Sequence, residues 1–187
     1  IAAHTIDNLR HIMGDDLQPG RVMSIGGRFL NHDDGETPNV HLAAFDYGGI
    51  PTFSETRGIA FKAGTDYSDN LRGARMSSVV QCEGGYMLMH EGATAFSPDG
   101  KKIMGLSGRG VRAHVENFLD AVRHQDPSRL NCPLEFGVKA AELCHLANLS
   151  YRAGSPASRD EILNAMGSSE PAQSALQHIH DNLSRLG

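Results

Sequence analysis

The spacing of apolar residues changes twice along the chain. Ile6, Leu9, Ile12 and Met13 recur at helical intervals, and Gly14 follows where a helix would end. The other side of that predicted helix carries His4, Asp7 and Arg10, each three residues from the next and so on one face. The same spacing also suits an ordinary amphipathic helix with a surface ion pair. From residue 21 the period drops to two. Met23, Ile25 and Phe29 alternate over 21–30, His41, Ala43, Phe45 and Tyr47 over 40–47, and Phe53, Glu55, Arg57 and Ile59 over 51–59. The polar run 31–38 holds Asp34-Gly35, a hairpin signal, and Gly48-Gly49 marks the next turn. Residues 60–75 show no period and predict a long surface loop.

Short strands resume at 77–81, 86–89, 93–96 and 101–106, with Gly84-Gly85 and Asp99-Gly100 turning the chain. Tight turns predict antiparallel pairing, because parallel strands need long crossovers. The last third returns to helical spacing. Val111, Val115, Phe118, Leu119 and Val122 make one stripe over 109–124. Phe136, Ala140, Leu143, Ala147 and Tyr151 make another over 134–152, widened by Leu146 and Leu149. Ser158 with Glu161 is a capping box opening a helix to about residue 166, and Pro171 starts a last helix with Leu176, Ile179 and Leu183 inward. Strands first and helices afterwards predict an α+β fold, a largely antiparallel open sheet with helices packed on one face. The expectation is one domain over 1–187, with 154–187 as a helical tail.

Composition narrows the chemistry. A formal net charge of −5 argues against nucleic acid as the main partner, and no tryptophan is present to form a stacking platform. No apolar run reaches the length of a membrane span. Cys82, Cys132 and Cys144 are odd in number and scattered, which gives neither a disulfide framework nor a CxxC metal pair. The cluster His32, Asp33, Asp34 and Glu36 near His41 holds metal-ligating atoms, yet a solvated hairpin tip accounts for it, and no metal is expected. No GxGxxG opens a helix after a strand, and no GxSxG elbow or HExxH occurs. The glycine-rich stretch 105–110 precedes a helix but lacks the phosphate-binding lysine, and reads as a connector.

Five stretches, taken in order, carry a resemblance. They are His4-Thr5-Ile6-Asp7 with Arg10, then 33–38 (DDGETP), 55–58 (ETRG), 117–123 (NFLDAVR) and 145–152 (HLANLSYR). Together they resemble the glucose–fructose oxidoreductase, inositol dehydrogenase and rhizopine-catabolism family, Gfo/Idh/MocA, over roughly residues 1–154. The resemblance implies a two-domain oxidoreductase using NAD or NADP. A preceding Rossmann domain would hold the cofactor, and the present chain would be the substrate and oligomerisation domain. In typical members an active-site histidine follows an aspartate by four residues. His4 matches the histidine, and the aspartate's place falls just before Ile1.

The expected roles are His4 as the catalytic proton-transfer group, with Asp7, Arg57, Asp33 and Glu36 binding substrate. An imidazole suits removal of a hydroxyl proton near neutral pH. The expected substrate is a sugar or polyol, and the expected partners are the missing Rossmann domain and further copies meeting through the sheet face. No cofactor, nucleic acid or membrane is expected to bind this chain alone. Two other readings fit the same pattern. One is a non-enzymatic oligomerisation or sugar-binding module. The other is part of a redox-neutral, NAD-dependent glycoside-cleaving enzyme.

Overall fold

The computed structural model describes residues 2–14, 18–30, 33–60, 70–90, 92–108, 110–166 and 170–185. The chain begins with helix α1 (Ala2–Met13). Strands β1 (Arg21–Gly27), β2 (Val40–Asp46), β3 (Pro51–Arg57), β4 (Ser78–Cys82), β5 (Gly85–Met89), β6 (Gly92–Phe96) and β7 (Lys102–Ser107) follow. Helices α2 (Gly110–His124), α3 (Leu134–Ala153), α4 (Arg159–Met166) and α5 (Glu170–Arg185) close it. The fold is α+β, and among the described residues every strand pairing is antiparallel. The strands form two sheets, ordered β1-β2-β3 and β4-β5-β6-β7. The chain divides into two compact units. One holds α1, β4 to β7, α2 and the first turns of α3; the other holds β1 to β3, the remainder of α3, α4 and α5.

The three-stranded unit is built around β2, which is buried on both faces. Val40 and Leu42 point one way, Ala43 and Phe45 the other, and none is more than 4% exposed. α3 crosses the second face. The Ser24 N–H donates to Ser150 Oγ at 3.0 Å, and Ser24 Oγ donates to the Ala147 carbonyl at 2.6 Å. Those bonds let a polar serine sit between helix and sheet without an unmet partner. Tyr151 meets the His41 ring edge-on, with centroids 5.9 Å apart. Leu143 and Ala147 are buried as the stripe predicts. Leu146 and Leu149 are exposed instead, because Leu149 lies about 200° around the helix from Ala147 and so faces away from the sheet. Arg21 Nη2 donates to the Ala165 carbonyl at 3.1 Å, capping the end of α4. The capping box forms as expected, with Glu161 accepting from both the N–H and the hydroxyl of Ser158.

The four-stranded unit is a meander whose tight turns match the glycine signals. Gly100 takes φ +81° and donates its N–H to the Ser97 carbonyl at 2.9 Å. Gly85 takes φ +140°, where an added Cβ would stand 2.0 Å from the Phe96 carbonyl oxygen. Tyr86 and Phe96 stack at 4.9 Å, and the Arg72 guanidinium covers Tyr86 at 3.7 Å.

Two expectations are corrected in this unit. Arg10 is 3% exposed and Ile12 is 40% exposed, the reverse of the predicted apolar side. The guanidinium is tolerated inside because Nη1 donates to the Phe136 carbonyl at 2.8 Å, with Asp7 at 3.7 Å. The α2 stripe exists, but Val111, Val115, Phe118, Leu119 and Val122 are all exposed. Most of the predicted loop 60–75 lies outside the described residues.

Candidate functional site

His4 sits in the first turn of α1 and is exposed. Asp7 lies one turn further on the same face, with its carboxylate 46% exposed. Two anchors hold that helix. Ser78 Oγ donates to the Thr5 carbonyl at 2.9 Å, and Arg10 Nη1 reaches Phe136. Ser78 is itself buried, at the start of β4. The His4–Asp7 face is therefore fixed on a rigid element, supported from beneath by residues that do not share its exposure. No motif marks Ser78 in the sequence. A serine opening a strand looks like any turn residue until the fold sets it beside the Thr5 carbonyl.

The other predicted residues belong to the three-stranded unit, and each is engaged by a protein partner. Arg57 Nη2 pairs with Glu55 Oε2 at 2.6 Å, on the same strand face two residues apart. Their side chains keep 10% and 16% exposure, and Glu55 Oε1 is buried with no hydrogen-bond partner. Asp33 Oδ1 accepts from the Gly35 N–H at 2.9 Å and also pairs with Arg28. Arg28 Nη1 bonds the Thr37 carbonyl at 2.8 Å, so one guanidinium ties both sides of the 33–37 loop. A Cβ at Gly35 would meet the Arg28 guanidinium at 2.6 Å, so a side chain there would push that arginine aside. Glu36 pairs with Arg152 across 3.2 Å and is 83% exposed.

Asn39, passed over in the sequence, holds the base of this loop. Its amide oxygen accepts from the Phe29 N–H at 2.9 Å, and its amide nitrogen donates to the Phe29 carbonyl at 2.8 Å. The side chain thus imitates a strand partner.

His32 of the polar 32–36 cluster lies outside the described residues, and among the described residues no three ligating side chains converge. Burial pushes the His41 imidazole below its ordinary range, and its Nε2 is enclosed without a partner.

A Rossmann-type dinucleotide site sets a parallel strand, a glycine turn and a helix N-terminus in succession. The strand preceding α2 is β7, an antiparallel edge strand, and the pyrophosphate-binding spacing is missing.

Comparison with solved structures settles which architecture this is. Over 82% of its length the chain superposes on an oxidoreductase from Thermotoga maritima, with a TM-score of 0.56 and 18% identity. This is the fold of the C-terminal half of Gfo/Idh/MocA-type oxidoreductases. The biliverdin reductase of Synechocystis, solved with biliverdin and NADP+, matches 81% of the chain, with a TM-score of 0.55 and 18% identity. The WlbA dehydrogenase of Bordetella pertussis, solved with NADH and UDP-GlcNAcA, matches 84%, with a TM-score of 0.50 and 11% identity. The chain spans less than half of each of these three proteins: 44%, 45% and 44% respectively. No protein-family model and no curated protein matches it. The α+β class and the antiparallel pairing inferred from the turns are those of this oxidoreductase fold.

Proposed function

We propose that this chain is the substrate and oligomerisation domain of an NAD(P)-dependent oxidoreductase acting on a sugar or polyol hydroxyl. A Rossmann domain outside residues 1–187 would complete it. The observation that carries the reading is the exposed His4–Asp7 face on a helix clamped by Ser78 and Arg10, within a fold that oxidoreductases use for about half their length. The fold alone does not choose the substrate, since neighbours of this fold hold ligands as different as biliverdin and a sugar nucleotide. The residue set supports an alcohol substrate. Oxidising an alcohol requires loss of the hydroxyl proton while the nicotinamide takes hydride. His4 accepts that proton. Asp7, whose carboxylate keeps open lone pairs, accepts a hydrogen bond from a neighbouring hydroxyl. Arg57, Asp33 and Glu36 complete the proposed set of substrate-binding residues. Further copies meet through the sheet face.

The test is NAD(P)+-dependent oxidation of a polyol panel by the protein expressed from its complete gene. His4→Asn is expected to lower kcat by about 10²- to 10⁴-fold, with cofactor affinity unchanged. Asp7→Asn is expected to raise KM more than it lowers kcat. Full turnover by the His4→Asn protein would refute the assignment.

A further inference from the structure

The Arg10 guanidinium lies inside, and one of its nitrogens serves two neighbours. Nη1 donates to the Phe136 carbonyl, in the first turn of α3, at 2.8 Å. The same nitrogen stands 3.7 Å from Asp7 Oδ1, one turn back along α1. Bonding a single carbonyl needs a donor and not a charge, and a charge is costly to bury. The carbonyl fixes where that charge sits, because it belongs to a different helix, 126 residues further along the chain. Asp7 keeps 46% of its side-chain surface open, against 3% for Arg10. A half-exposed aspartate on a helix ordinarily has two χ1 wells and a broad χ2 open to it. A fixed, poorly screened cation beside Oδ1 favours one of those settings over the rest.

We infer that Arg10 is a positioning residue for the proposed reaction, acting through Asp7: it holds Oδ1, so that Oδ2 meets a substrate hydroxyl from one direction. The inference rests on the assignment of Asp7 to substrate binding. Arg10 itself touches no substrate. A ligand that meets an acceptor already aimed does not have to order it on binding. Without the guanidinium, Asp7 spreads over both χ1 wells and the χ2 range, and the aimed fraction falls to roughly a fifth. Apparent affinity falls by the same factor, while the chemical step at His4 keeps its groups. Ser78 supplies the contrast. It anchors the same helix through the Thr5 carbonyl, but it brings no charge to Asp7.

NMR couplings that report χ1 of Asp7, measured on the 187-residue protein without ligand, test the orientation. The expected result is one rotamer in the wild type, averaging in Arg10→Met, and one rotamer again in Arg10→Lys, which returns the charge. Ser78→Ala should keep one rotamer. Turnover by the protein from its complete gene tests the consequence. Arg10→Met should raise the KM for a polyol about fivefold, with kcat within about twofold. In the Asp7→Asn protein the same change should move KM by less than about twofold, because the carboxylate it acts through is gone. Asp7 averaged over both wells in the wild type would overturn the inference, whether or not any variant folds. So would an Asp7 that stays fixed in Arg10→Met, an equal loosening by Ser78→Ala, or the same KM change in both backgrounds. A wild type that oxidises no polyol would refute the proposed function instead, and the Asp7 couplings would still decide what Arg10 does.

Discussion

Replacing Arg57 with leucine is the most demanding test of how the three-stranded unit is held. Arg57 stands opposite Val40 and Glu55 opposite Leu42, so the pair's strand neighbours on that face are among the most buried apolar residues of the chain. Glu55 Oε1 already lacks a partner, and Arg57 holds the other oxygen at 2.6 Å. Removing the guanidinium strands a carboxylate with 16% of its surface in contact with water. Breaking a buried pair in this way costs about 3–5 kcal/mol. The residual exposure puts the expectation near the lower bound, about 3 kcal/mol, well above the ~1 kcal/mol ceiling of exposed pairs.

The assay is urea unfolding at pH 7, followed by circular dichroism, with the slope compared between variants. The double variant Glu55→Leu/Arg57→Leu should regain most of the loss, giving a coupling energy of about 2 kcal/mol or more in the mutant cycle. It also separates structure from binding: a folded double variant loses only what Arg57 gives a substrate. A single-variant cost below ~1 kcal/mol would refute the reasoning and mark the pair as solvated.

Three further outcomes follow from particular residues. Burial holds the His41 imidazole below its ordinary range, so the unfolded chain takes up the proton first as pH falls below about 6.5. The stability His41 contributes is whole above that pH and is lost as pH falls through its lower folded value; His41→Leu, still packed on Tyr151, should flatten the change in urea midpoint between pH 7.5 and 5. Gly85→Ala places a methyl group against the Phe96 carbonyl at a strained φ and should cost about 2 kcal/mol or more in the same assay, whereas Gly84→Ala, with open space around it, should cost under about 1. Ser158→Ala removes the cap of α4 and should cost about 1 kcal/mol; the hydrogen bonds from Ser158 keep the Glu161 carboxyl below its ordinary range, so this effect fades as pH falls through that range.

Local chemistry was legible wherever it decides local structure. Alternation located the strands, Asp99-Gly100 set the β6–β7 hairpin, and Ser158 with Glu161 announced α4. Burial was less legible, because periodicity gives a face but not what covers it. The α2 stripe has the pattern of a core helix and lies open to solvent. Arg10 is charged and buried, a choice made by the Phe136 carbonyl, 126 residues away in the chain. Asn39 and Ser78 act through backbone groups, and side chains of that kind leave no periodic trace. At the candidate site, the spacing of His4 and Asp7 put them on one helix face, which the fold keeps. It could not foretell that Arg10 turns inward beneath them, or that Asp33 closes its own loop.

The division of labour proposed for this chain is tested most directly by following the His4 imidazole by NMR during two titrations of the 187-residue protein. One adds a polyol such as inositol, and the other adds NADH. The polyol should move the His4 resonance, and Asp7→Asn should weaken that response, while NADH should leave the spectrum unchanged. A His4 signal indifferent to every polyol tried, or saturable NADH binding to this chain, would contradict the account.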